Sequence, residues 1–220
     1  MVVKINGDIV SNDWKAIYDW FKMDSFSPSD LEAAIERLPK GEALEIKINS
    51  PGGDVWAGQE IYTMLRGRDD VAIEVESTAA SAASIIAMAG KSSISPVGML
   101  MIHNVSMYGA SGNKRDMKKA AETLGEYDKA LAAAYAEKTG MELDEVLKLM
   151  DKEAWLTAAA AVELGFIDAI SEPAAGITNA ISGMRITPEM VAEYEAAMKD
   201  IETREKTKNN LLEDLDMFGA

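Results

Sequence analysis

Three observations in the middle of the chain predict an α/β fold. First, apolar strand patterns at Leu44-Ile46-Ile48, Val71-Ile73-Val75 and Met99–Ile102 alternate with helical patterns. That is the arrangement of strand–turn–helix units that lay helices on a sheet. Second, each strand runs into polar or small residues: Asn49-Ser50-Pro51-Gly52-Gly53, then Ser77 to Ala83, then His103. Open α/β sheets carry ligands and chemistry at the carboxyl ends of their strands. Third, 220 residues suit one domain, and 48% hydrophobic residues suffice for a packed core.

The elements follow in order. Val2-Val3-Ile5, Gly7 and Ile9-Val10 read as a strand and turn. Residues 13 to 23 form a helix with Trp14, Ile17 and Phe21 on one side. Ser25 to Leu38 is a stronger helix, capped by Ser29 with Glu32 three residues later and faced by Leu31, Ala34, Ile35 and Leu38. Pro39-Lys40-Gly41 ends it. After the first central strand, Ala57, Ile61 and Leu65 mark a helix, and Ile85 to Ala89 marks another closed by Gly90. The stretch VSMYGASGNKRD after His103 is a strand or a loop. A long helix from about Lys114 to Lys138 carries the stripe Met117, Ala121, Leu124, Tyr127, Leu131 and Tyr135. Thr139-Gly140 breaks it, and Leu143 to Met150 is a short amphipathic helix. Thr157 caps a helix from Ala158 to Leu164, which Gly165 ends before a last strand, Phe166 to Ile170. Beyond Ser171 the composition shifts to a loop, a charged helix from Thr187-Pro188-Glu189 and an acidic tail.

Composition excludes several functions. The chain has no cysteine and one histidine, which removes disulfides, thiolate metal sites, a cysteine nucleophile and a histidine-rich metal site. A net charge of −15 opposes a nucleic-acid partner. No apolar run reaches the ~20 residues that cross a membrane, and MVVKINGDIV lacks the layout of a signal peptide. A cytoplasmic protein is expected. Fourteen methionines include Met99, Met101 and Met150 at apolar positions, which read as core.

Chemistry concentrates on Ser81, Gly52-Gly53 and His103. Ser81 falls at a tight strand-to-helix transition, where a nucleophile is exposed and the next N–H can face a developing oxyanion. Glycine at 52 and 53 lets backbone approach a substrate closely. A serine needs a neighbouring base, and His103 is the one imidazole available. Each residue has an ordinary reading too: a small packing residue, a structural histidine, a turn.

These segments resemble a known family. INSPGGDVWAGQEIYTML is similar to the oxyanion segment of ClpP, the proteolytic subunit of the Clp protease; STAASAASIIAMAG resembles its nucleophile segment and MLMIHN its histidine segment. NSPGGDV, AxSxAS and MIHN together resemble the ClpP-like head-maturation proteases of tailed phages and prophages. The resemblance implies a crotonase-like ClpP fold of repeated ββα units and a serine endopeptidase assembled into stacked rings. It makes Ser81 the nucleophile, His103 the base, and the N–H groups of Gly53 and Ala82 the oxyanion donors. It further implies that Gly52, Val105 and Ser106 line the substrate. Aligning EAWLTAAAAVELGFID with the family's acid segment puts Glu153 at the acid position, with Asp151 the rival and aspartate the more usual residue. Ser77 and Ala83 stand where the cellular subunit has glycine, and Val105 where it has proline, which bears on cleavage specificity.

The resemblance further implies a protease domain over residues 1–172, with a ring-joining handle at about 104–138, while the shift in composition leaves a C-terminal helical extension and acidic tail over 173–220. A helix covering the domain's own sheet is the other reading of residues 114–138. Assembly is expected through Met117, Leu124, Leu131 and Tyr135. No metal or organic cofactor is implied. Because the first strand pattern begins at Val2, no room is expected for loops that dock an ATPase. The chain is then read as acting on unfolded or assembly-bound polypeptide, such as a capsid or scaffold protein in a phage prohead, without nucleotide. The alternatives are an ATPase-dependent cellular-type ClpP, a Ser-Lys peptidase of the same superfold, and a non-catalytic assembly protein.

Overall fold

The computed structural model describes residues 1–172 and Lys199. Met1–Glu172 form one compact unit, whose sheet begins with β1 (Val2–Ile9). β1 does not end at Gly7: glycine there takes φ +72, and the strand continues past a bulge between Asn6 and Asp8. The chain then leaves the sheet as α1 (Asn12–Trp20) and returns as a two-residue strand, β2 (Ser25–Phe26), parallel to β1. The apolar side of α1 is not buried, since Trp14, Ile17, Trp20 and Phe21 are all exposed.

Because β2 claims Ser25 and Phe26, α2 starts later than its sequence suggests, at Pro28–Arg37. Its cap is Ser27 rather than Ser29. The Asp30 carboxylate accepts the Ser27 N–H and hydroxyl, each at 2.9 Å, so Asp30 and not Glu32 closes the capping box. Proline at the first helical position explains the choice, since its fixed φ and missing N–H suit that site.

The central strands are β3 (Leu44–Gly53) and β4 (Val71–Ala80), longer than their apolar cores because each runs on to the site. Between them lies α3 (Val55–Leu65), capped by Asp54, which accepts the Ala57 N–H at 2.8 Å. β4 feeds directly into α4 (Ala82–Ala87). β5 (Lys91–Ile94) then pairs with the first half of β4, and β6 (Met99–Ile102) with its second half. With β8 at Ala169–Ile170, the strand order is β2-β1-β3-β4-β5-β8, with β6 leaving the path from β4. All pairs are parallel except β6 with β7 (Ala154–Thr157). β8 is only Ala169–Ile170; Phe166 and Ile167, expected in this strand, precede it as buried residues.

One face of the sheet is dry. Leu44, Ile46 and Ile48 of β3 and Val71, Ile73 and Val75 of β4 are buried beneath the helices, in a cluster with Ile61, Leu65, Ile85 and Ile86. The opposite face carries Lys47 across from Glu74 at 3.0 Å, with Glu76 at 3.3 Å. Period-two alternation therefore sorts core from solvent along β3.

Residues 104–113 are irregular and lead into α5 (Lys114–Thr139), which Gly140 closes at φ +73. The burial of this helix changes along its length. Leu131, Ala132 and Tyr135 belong to the domain's own core, while Lys114 to Lys119, Met117 included, are exposed. Leu131 and Tyr135 thus cannot belong to an assembly face; burial against α4 and α6 (Leu143–Asp151) consumes them. Of the methionines assigned to the core, Met150 is fully buried and Met99 and Met101 are half-buried. Thr157 caps α7 (Ala158–Glu163) by accepting the Ala160 N–H at 3.4 Å. The charged helix and acidic tail expected beyond Ser171 lie outside the described residues.

Candidate active site

The site forms where β3, β4 and β6 end side by side. Ser81 occupies the single-residue step between β4 and α4, with φ +54 and ψ −124. Of the described non-glycine residues, only Lys22, Ser81 and Glu153 have positive φ. Such backbone costs on the order of 1–3 kcal/mol and persists only where neighbours enforce it. Here the enforcement is visible: the Ser81 N–H donates to the Met101 carbonyl of β6 at 2.9 Å. That bond brings the end of β6 against the Ser81 turn. Two residues beyond Met101, His103 Nε2 lies 2.7 Å from Ser81 Oγ.

Gly52 and Gly53 close the other side. A Cβ on Gly52 would stand 2.6 Å from the Ala80 carbonyl oxygen and 2.7 Å from Ser81 Cβ, and its φ is +99. No side chain fits there, so the glycine is required by the proximity of β3 to the Ser81 turn. The Ile9 carbonyl accepts the Asp54 N–H at 2.8 Å. In a parallel ladder the intervening residue, Gly53, then turns its N–H away from β1. Ala82 contributes the first amide of α4, which has no acceptor in a preceding turn.

For Nε2 to accept a proton from Ser81, a neutral imidazole must carry its hydrogen on Nδ1. Among the described residues, no Asp or Glu makes a hydrogen bond or ion pair with the ring; its bond is to Ser81. The antiparallel pairing of β6 with β7 ends at Ile102 opposite Ala154, the residues that precede His103 and follow Glu153 in the chain. Glu153 is exposed, at φ +48, just past the end of α6, with its N–H bonded to the Met150 carbonyl at 3.0 Å. Asp151 accepts the Asn104 side-chain amide at 2.7 Å.

Val105 spends its N–H on Asp128 of α5, at 2.7 Å, so that amide is not free for a substrate backbone. Ser106 is exposed. Five residues given no site role by the sequence tie this region together. Trp56 donates its indole N–H to the Tyr127 hydroxyl at 2.8 Å, Asp128 holds Val105, and buried Ser84 meets the Tyr135 hydroxyl at 2.7 Å. Tyr127 and Tyr135 were visible as members of a helical stripe; nothing local said that their hydroxyls reach the catalytic segments. Among the described residues no helix is long and apolar enough to cross a membrane.

Comparison with known proteins agrees with this geometry. The family model described as "Clp protease" matches residues 33–174. The chain is similar to the ATP-dependent Clp protease proteolytic subunit of Bacteroides fragilis, with 35% identity over 156 residues, covering 68% of this chain and 75% of the relative. It also resembles the ATP-dependent Clp protease proteolytic subunit 2 of Corynebacterium diphtheriae, at 34% over 137 residues, 60% of this chain and 68% of the relative. The corresponding protein of Mycolicibacterium paratuberculosis is 34% identical over 140 residues, covering 62% and 70%.

Proposed function

Because the chain belongs to the Clp protease family of serine peptidases, we propose that it hydrolyses peptide bonds with Ser81 as nucleophile and His103 as base. The observation that carries the assignment is the 2.7 Å hydrogen bond between Ser81 Oγ and His103 Nε2. Ser81 Oγ attacks the scissile carbonyl while Nε2 takes its proton. The oxyanion of the tetrahedral intermediate lies between the N–H groups of Gly53 and Ala82. Collapse breaks the C–N bond, His103 returns the proton to the leaving amine, and water, deprotonated by the same imidazole, hydrolyses the ester on Ser81. Glu153 orients the ring and stabilises the imidazolium. Its position just before Ala154, which pairs with the residue preceding His103, and its left-handed backbone support that role over Asp151, which is engaged with Asn104.

The substrate is unfolded polypeptide, and the working form a homo-oligomeric ring, read from the family. Two finer readings differ in what feeds the site. The relatives are named ATP-dependent, which favours coupling to an ATPase partner. The combination of NSPGGDV, AxSxAS and MIHN favours nucleotide-independent trimming of capsid or scaffold protein in a phage prohead.

A fluorophosphonate that labels active serines tests the chemistry. Labelling of the wild type and its loss in Ser81→Ala are expected; equal labelling of both would remove Ser81 as the nucleophile. Casein degradation by the purified chain with no nucleotide supports the prohead reading, and cleavage only with a Clp-type ATPase and ATP supports the other.

A further inference from the structure

We propose that Tyr135 and Ser84 are positioning residues that aim the Ala82 N–H at the oxyanion by pinning the opposite end of the same peptide unit. The inference rests on the serine-peptidase reading above. In a trans peptide the C=O of one residue and the N–H of the next point in opposite directions. Whatever holds the Ser81 carbonyl therefore also sets the direction of the Ala82 N–H.

That carbonyl is held twice by one residue. Ser84 donates its backbone N–H to it at 2.9 Å and its hydroxyl at 2.6 Å. A serine hydroxyl has one hydrogen, so the 2.7 Å contact between Ser84 Oγ and Tyr135 Oη must be donated by the tyrosine. The direction of the chain is fixed: Tyr135 O–H to Ser84 Oγ, and Ser84 O–H to the Ser81 carbonyl. Burial pushes the Tyr135 phenol well above its ordinary range, which keeps it a donor. Ser84 is 0% and Tyr135 2% exposed, so water does not compete for these bonds. The tyrosine ring packs edge-on against Phe166, with centroids 5.8 Å apart.

Tyr135 is the third tie between α5 and the site. Asp128 holds Val105 behind His103, and Tyr127 holds Trp56 behind Gly53. Each catalytic segment is thus fastened to one helix. The Tyr135–Ser84 tie differs because it ends on the peptide unit that carries the oxyanion donor.

A buried Ser–Tyr pair could also serve packing alone, and the experiment separates the two. Tyr135→Phe, Ser84→Ala, the double variant and Ser84→Thr are measured for kcat and KM on a peptide substrate. Affinity is measured for a peptide boronate, which forms a tetrahedral adduct on serine, and for an unreactive product peptide. Removing an oxyanion donor outright costs about 100- to 1,000-fold in kcat, so tilting one is expected to cost about 10-fold. We expect that loss in kcat with KM nearly unchanged, a matching loss of boronate affinity and unchanged product-peptide affinity. The double variant should be no worse than the poorer single one, because both act on one peptide unit. Ser84→Thr, which keeps the hydroxyl, should restore most of kcat. Lower melting temperatures with wild-type kcat and boronate affinity would overturn the proposal and leave a packing pair. A wild-type chain that fails to react with fluorophosphonate would instead overturn the peptidase reading, and this proposal with it.

Discussion

Gly52→Ala tests whether β3 sets the geometry of Ser81, the proposed nucleophile. The added methyl meets the Ala80 carbonyl oxygen at 2.6 Å, Ser81 Cβ at 2.7 Å and the Ala82 nitrogen at 3.0 Å. Two of these atoms are backbone and cannot swing aside. The residue also holds φ +99, which costs an L-amino acid roughly 1–2 kcal/mol. Overpacking against fixed atoms adds about 1–3 kcal/mol. Gly41→Ala is the control: its φ is +87, and a Cβ there meets nothing within 4 Å. Both variants carry the backbone term, and only Gly52→Ala carries the clash. For a chain of this size about 1 kcal/mol lowers the melting temperature by about 2–4 °C. Gly52→Ala should therefore melt roughly 4–20 °C below the wild type, and Gly41→Ala only about 2–8 °C below it. Relief of the clash moves Ser81 and the Ala82 amide, so the fluorophosphonate labelling rate should fall at least about 100-fold in Gly52→Ala alone, the scale of a lost oxyanion donor. Equal melting points for the two variants, with wild-type labelling by Gly52→Ala, would refute the argument.

Glu153→Gln is expected to lower kcat about 100-fold or more, with Asp151→Asn near wild type, if Glu153 orients His103; the reverse pattern in steady-state kinetics moves the role to Asp151. Glu153→Gly should raise stability by about 1 kcal/mol while losing activity, because φ +48 at the end of α6 suits glycine; calorimetry showing no gain would mean the turn is unstrained. Asp168 gives a pH test. Burial raises its carboxyl, but Lys138, at 2.7 and 2.8 Å, and the Ser92 N–H outweigh burial and hold it below the ordinary 3.8. A depressed folded-state carboxyl contributes stability that is present above the unfolded value and lost as pH falls through the folded one. Its replacement in Asp168→Asn should therefore cost about 1 kcal/mol near neutral pH, given its partial exposure, and progressively less in acid; a gap constant from pH 7 to pH 2 in denaturant titrations would contradict this. Sedimentation should show species several times the 23.8 kDa chain, and a monomer at every working concentration would remove the ring.

The candidate chemistry was legible in the sequence because it depends on residue type and order. A lone imidazole, a serine among small residues at a strand end and a glycine pair name candidates for a site. Strand cores at Leu44-Ile46-Ile48 and Val71-Ile73-Val75 were legible for a similar reason: alternation reports one buried face. Tertiary contacts decided the rest. Ser27 displaced Ser29 as a cap because β2 took Ser25 and Phe26 into the sheet. Leu131 and Tyr135 carry the same helical signal as Met117, yet packing against α4 and α6 buried them and left Met117 outside. The positive φ of Ser81 is a preference of no serine; it is imposed by the Met101 carbonyl on its N–H and by Ser84 on its carbonyl. Sequence determined which groups could react, since composition and local pattern fix what each residue can donate, accept or bury. Only the tertiary structure decided which of them meet, because a bond of 2.7 Å between residues 22 apart depends on strand register and helix packing that no local propensity encodes.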